Sequence, residues 1–141
     1  MNETDTQRLV QAAFVGDIGQ VKQLLRNCSD IDLESGEWNA LHAAIENQQI
    51  DCVKLLVDFG ADVERVNGDL TPLAHAVDIA LDSANQLGNG LDNQSVEIVS
   101  AILNAGAHPK SGLIIAEQYG SAEVKSLLWS YLNQQESKNV N

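Results

Sequence analysis

Three things are scarce in this chain of 141 residues: aromatic side chains, positive charge and cysteine. Phe, Trp and Tyr make up 4% of it, although 44% is hydrophobic. A core must therefore be built from Leu, Val, Ile and Ala. Stacked helices use that mixture, because Ala admits a close neighbour and Leu fills the remaining gap. Lys and Arg number 8 against 20 Asp and Glu, leaving a net charge of −12 and a pI near 4.3. That balance argues against nucleic acid as a partner, since gripping phosphates takes clustered Lys and Arg. It suits a basic partner, and it also suits plain solubility. Cys28 and Cys52 show neither a disulfide framework nor a metal-ligand spacing. No apolar stretch approaches the roughly 18 residues of a membrane span. Met1 to Thr6 is polar and acidic, unlike a secretory leader. The expectation is a single-domain, reduced, cytoplasmic protein that meets no membrane and is a monomer when unbound.

Catalytic motifs are missing as well. There is no nucleophile elbow, no Gly-rich loop ending in Lys-Ser or Lys-Thr, and no His-Glu-x-x-His. Gly88-x-Gly90 has no basic residue beside it and reads as a turn. No catalytic residue, metal site or cofactor is expected, and an enzyme is the least favoured class.

What is present is a repeat. Thr71-Pro72-Leu73-Ala74-His75-Ala76 has a twin in Asn39-Ala40-Leu41-His42-Ala43-Ala44, and the leucines are 32 residues apart. A further 32 residues back lies Leu9, with Ala12 three places on. Self-similarity at this period marks a solenoid of helix pairs. Each unit closes on a similar element: Gly60-Ala61-Asp62, Gly106-Ala107-His108 and, degenerately, Cys28-Ser29-Asp30. On these motifs the chain resembles the ankyrin-repeat family, whose repeat opens Thr-Pro-Leu-His-x-Ala and closes Gly-Ala-Asp. The resemblance spans about residues 6 to 132. It implies an all-α solenoid of four helix-turn-helix repeats with hairpin-like fingers, and a protein-binding module without chemistry of its own.

The repeats fall at about 5–35, 36–67, 68–110 and 111–133, with 134–141 expected as a polar, disordered tail. In the first, Thr6 is the expected N-cap of a helix from Gln7 to Val15, and Asp17 caps a second helix. Polar Gln20, Lys22, Gln23 and Arg26 suit the outer face of a terminal, capping repeat. The second repeat carries Asn39 as cap, Leu41, Ala44 and Ile45 inward, then Val53, Leu56 and Val57. Asn47-Gln48 occupies a turn where the family has Gly, which predicts local strain. The third repeat has Thr71 and Pro72 ideally placed for a helix start. From Leu73 to Gly106 is 33 residues, against 19 from Leu41 to Gly60, so this repeat holds an insertion of 14, roughly 82–95. The last connection is short, which predicts a lost finger, a tight turn from Pro109 to Gly112, and Leu113, Ile114 and Ala116 inward. Ser121 caps a final helix to about Leu132, with Val124, Leu127, Leu128 and Tyr131 packed and Trp129 over the open end.

Each titratable oddity has a plain structural reading. His42 stands at the family position that ties neighbouring backbone together, and His75, one place later in its repeat, is expected to face outward. The cysteines read as small packing groups.

The family resemblance places the contact surface on the concave side, formed by fingers and first helices. Carried over by position, Trp38 and Leu70 stand on successive fingertips, beside Glu37 and Asp69. Glu46 and Asp78 fall on the first helices, and Gln118 and Tyr119 take the corresponding places in the last repeat. An aromatic anchor ringed by carboxylates suits a partner with a basic surface. Trp38 folded back onto the stack is an equally open alternative. Small stand-alone proteins of this type resemble bacterial immunity proteins, which silence a toxin by occluding it. The alternatives are an adaptor that tethers two proteins and an effector aimed at a host protein.

Overall fold

The computed structural model describes residues 3–139; residues 1, 2, 140 and 141, at the ends of the expected lead-in and tail, lie outside the described residues. The helices are α1 (Glu3–Val15), α2 (Ile18–Leu25), α3 (Ala40–Glu46), α4 (Ile50–Asp58), α5 (Pro72–Leu87), α6 (Asn93–Asn104), α7 (Lys110–Tyr119) and α8 (Ala122–Asn139). They form four antiparallel pairs in chain order. First helices α1, α3, α5 and α7 pack consecutively, and α2, α4 and α6 form a second layer behind them.

Local chemistry explains most helix starts. Asp17, Asn39, Thr71, Asp92 and Ser121 each accept the backbone N–H three residues on, which satisfies an otherwise orphaned donor. Leu9, Leu41 and Leu73 are all buried, one per repeat, with Ala12, Ala44 and Ala76 beside them. Small residues at that position let successive first helices lie close, and Val21, Val53, Leu56, Ile102 and Leu128 fill the space between layers.

Gln48 bears out the strained turn: its φ of +51° is the one left-handed non-glycine value among the described residues. That conformation carries about 1–2 kcal/mol of steric cost for an L-residue. Its surroundings offset it, because Gln48 Nε2 donates to Ser95 Oγ at 2.8 Å and Gln94 Nε2 donates to the Gln48 carbonyl. The insertion in the third repeat is thereby anchored at the helix-turn end of the second. It consists of extra turns of α5, the bend 88–91 and an early start of α6.

Four expectations are corrected. Thr6 is no cap; α1 already runs from Glu3, where Glu3 and Asp5 complement the helix dipole, and Thr6 is buried within it. Residues 110–112 belong to α7, so no turn spans Pro109 to Gly112. Gly112 joins the expected Ala116, one turn on, as the buried face with Leu113 packed against the core, and Ile114, expected inward, is exposed. A Cβ at Gly112 would stand 3.1 Å from Leu73 Cγ and Leu128 Cδ1, so the glycine lets α7 close onto both. The polar segment from Gln134 is helical to Asn139, as propagation of an existing helix through Gln, Glu and Lys needs little extra support. Trp129, expected over the open end of the stack, is half exposed on α8.

Asn39 shows one imperfection. Its N–H donates to Asn67 Oδ1 and its Oδ1 caps α3, but its Nδ2 is buried without a partner. Asn39→Thr keeps the cap, as Thr71 does one repeat later, and removes the orphan amide. We expect a gain of about 1 kcal/mol, measured by urea denaturation; a loss would show that the amide has a hidden partner.

Candidate partner-binding face

Two fingers precede α3 and α5. Each closes through an isolated pairing, Ser35 with Trp38 and Asn67 with Leu70, around a two-residue turn led by a glycine. Gly36 at φ +69° and Gly68 at φ +65° supply the left-handed first position such tight hairpins need. The exposed tips are therefore Gly36-Glu37 and Gly68-Asp69. Trp38 and Leu70, expected on the tips, close the turns and are half-buried, because the residue after a two-residue turn points back along the finger. Asn67 cross-links the fingers: besides receiving Asn39 N–H, its Nδ2 donates to the Glu37 carbonyl at 2.6 Å.

Trp38 folds onto a pair of histidines. Its ring lies 5.0 Å from His75 and 6.4 Å from His42 between centroids, within 14° of parallel to both. His42 Nδ1 and His75 Nδ1 are 2.9 Å apart. His75, expected to face outward, is 2% exposed. Successive helical positions differ by about 100°. A one-place shift thus turns the side chain from the following repeat toward the preceding one, where His42 waits.

Hydrogen-bond direction assigns the protons along this line. His42 Nε2 lies 3.0 Å from the Arg65 carbonyl, which only accepts, so Nε2 carries hydrogen. Burial, opposed by that carbonyl and reinforced by the nearby His75 charge, lowers the His42 pKa from 6.5 to about 4, so the ring is neutral. Its Nδ1 is then an acceptor, and His75 Nδ1–H donates to it. The other His75 nitrogen, Nε2, sits 2.6 Å from Glu46 Oε2. Glu46 is the last residue of α3, and its side chain lies back along the helix to reach the ring.

Asp78 is engaged in the same manner one repeat on. Tyr119 Oη donates to Asp78 Oδ1 at 3.1 Å, and burial, with Asp78 and Asp82 nearby, raises the Tyr119 pKa so that it stays a donor. Of the eight residues singled out by position, Glu46 forms a cross-repeat rung with His75, which is outside that set, and Asp78 one with Tyr119; Glu37 and Asp69 are exposed at the tips, and Gln118 is exposed beside Tyr119. Sequence reasoning missed Asn67, His75 and the Arg65 carbonyl. The Asn67-Gly68 dipeptide, a strong hairpin signal, could have pointed to the first. An open groove of about 380 Å³ lies apart from the fingers, between the α5 end, the 88–91 bend and the α7–α8 turn, with Leu81, Leu91, Tyr119 and Glu123 in its wall. Burial raises the Cys28 thiol and pushes Cys52 up to about 11, which favours the protonated thiol at both.

The family description that matches this sequence is Ankyrin repeats (3 copies), over residues 9–94, more than half of the chain. The chain belongs to the ankyrin-repeat family. Ankyrin repeats are in general non-catalytic units that bind other proteins, so this chain is a protein–protein interaction module. One relative is the 2-5A-dependent ribonuclease of Mus musculus, 35% identical over 63 residues, which is 43% of this ankyrin chain and 9% of the ribonuclease. The chain therefore spans less than a tenth of that relative's length. Among the described residues no helix is long and apolar enough to cross a membrane, and no group of three or more His, Cys, Asp or Glu could hold a metal ion.

Proposed function

We propose that this ankyrin protein is a stoichiometric inhibitor of the immunity type, occluding a basic partner protein such as a bacterial toxin. The observation that carries this reading is the pair of exposed carboxylates on adjacent fingertips. Glu37 and Asp69 project from adjacent tips, Glu46 and Asp78 line the first helices behind them, and the whole chain carries −12. Fields of that sign steer a basic partner into register before contact. Trp38 and Leu70, half-buried beside the tips, then supply the part of the interface that excludes water.

Charge and contact contributions separate kinetically. Glu37→Gln with Asp69→Asn is expected to lower the association rate and flatten its salt dependence. Trp38→Ala is expected to leave association nearly unchanged and speed dissociation by about thirtyfold, equivalent to about 2 kcal/mol. Shortening 88–93, at the far end of the helices, should barely alter affinity. Stopped-flow measurements on a basic protein captured by the wild-type chain decide these points. Capture of no basic protein, together with no toxin gene beside this one, would sink the inhibitor reading. A loop deletion that abolishes binding while Trp38→Ala does nothing would move the contact to the insertion.

A further inference from the structure

The line Arg65 C=O, His42, His75, Glu46 has room at His75 for one proton beyond two neutral histidines and an ionised carboxylate. With Glu46 ionised, both His75 nitrogens face acceptors: Nδ1 meets the bare Nδ1 of His42, and Nε2 meets Glu46 Oε2. We propose that this face is a proton-controlled platform. One proton, held as an imidazolium–carboxylate pair between His75 and Glu46, fixes the Trp38 ring, and its loss releases ring and finger.

The reasoning is geometric. Trp38 lies against His75 at 5.0 Å, so its face meets the ring that bears the charge, an arrangement an aromatic quadrupole favours. Remove the proton and the lone pair of Nε2 points at a carboxylate 2.6 Å away. The two repel, the ring must turn, and the indole stacked on it loses its seat. No other charge on the surrounding elements is placed to take over. α3 brings only His42 and Glu46 to the ring. On α5 itself Asp78 is bonded to Tyr119 and Asp82 to Gln86. From α6, Glu97 pairs with Lys54, and from α7, Glu117 pairs with Lys125 while Lys110 starts the helix. On the fingers, Arg65, Glu37 and Asp69 are exposed.

The consequence for binding rests on the reading of this face as the contact surface. The test uses the free protein, so its failure would leave that reading standing. Ring nitrogens are followed by long-range proton–nitrogen correlation NMR of the full chain from about pH 5 to about pH 8, where histidines change charge. At the acid end His75 is expected to carry hydrogen on both nitrogens and His42 on Nε2 alone. A bare His75 Nε2 throughout that range overturns the proposal. Trp38 emission is read in parallel in a Trp129→Phe background, and is expected to step at the pH where His75 loses its proton. Glu46→Gln, at a half-exposed position that tolerates substitution, should move both steps together to lower pH. A Trp38 signal that stays flat while His75 titrates, or a step that Glu46→Gln leaves in place, also overturns it.

Discussion

Leu73→Ala is expected to lower stability by about 2–5 kcal/mol, the range for truncating a fully buried leucine whose surroundings relax only in part. Leu73 has no exposed surface, and it meets α7 where Gly112 has no side chain to fill the gap. The void therefore opens between the third and fourth repeats, where it loosens the last helix pair as well. Leu56→Ala, buried between layers in the second repeat, belongs to the same range. Total stability of a domain this size is about 5–15 kcal/mol, so either change removes a large part of it. Urea melts decide the matter. A shift under about half a kcal/mol for both, well below the expected range, would mean that the helical register is wrong.

A comparable effect is expected from acid. His42 is buried and neutral, with its pKa lowered to about 4, whereas the unfolded chain binds a proton near 6.5. Between those values the unfolded state holds more protons, so stability falls as pH falls. Above about 6.5 the contribution is fully present; below about 4 it is gone. At 1.36 kcal/mol per pH unit, the gap amounts to about 3 kcal/mol. The many carboxylates titrate too, so the clean measurement is a difference. Wild type is compared with His42→Gln, which keeps a donor for the Arg65 carbonyl, in urea at several pH values across that window. The difference between the two should shrink on acidification. A difference that stays constant would show that burial of His42 carries no protonation penalty.

How far the sequence could be read depended on whether a feature was local. Asp17, Asn39, Thr71 and Ser121 were legible as caps because a cap is decided within four residues. The insertion was legible because spacing between Leu73 and Gly106 is counted, not inferred. His75 was not, since nothing near it says that a rotation of 100° leads to a neighbouring repeat and not to water. Gly112 failed for the same reason: glycine inside a helix looks like a break until Leu73 and Leu128 are found against it. On the candidate face, the acidic positions could be taken from the repeat register. Their pairing with His75 and Tyr119 could not, because partners 29 and 41 residues away leave no trace in either segment.

Among the described residues, four of the five carboxylate rungs between repeats share a direction, the exposed Lys54–Glu97 pair being reversed. Asp32 accepts the Asp62 N–H, Glu64 accepts the His108 N–H, Glu46 receives His75, and Asp78 receives Tyr119. In these four the acid belongs to the earlier repeat and the donor to the later one. During synthesis, each emerging repeat finds its acceptors already in place. Shortening the chain from the two ends is then unequal. Loss of the last helix pair frees the Asp78 carboxylate, whereas loss of the first frees the Asp62 backbone N–H, and both groups are exposed to water. The stack has a grain: trimming one end frees acceptors, and trimming the other frees donors.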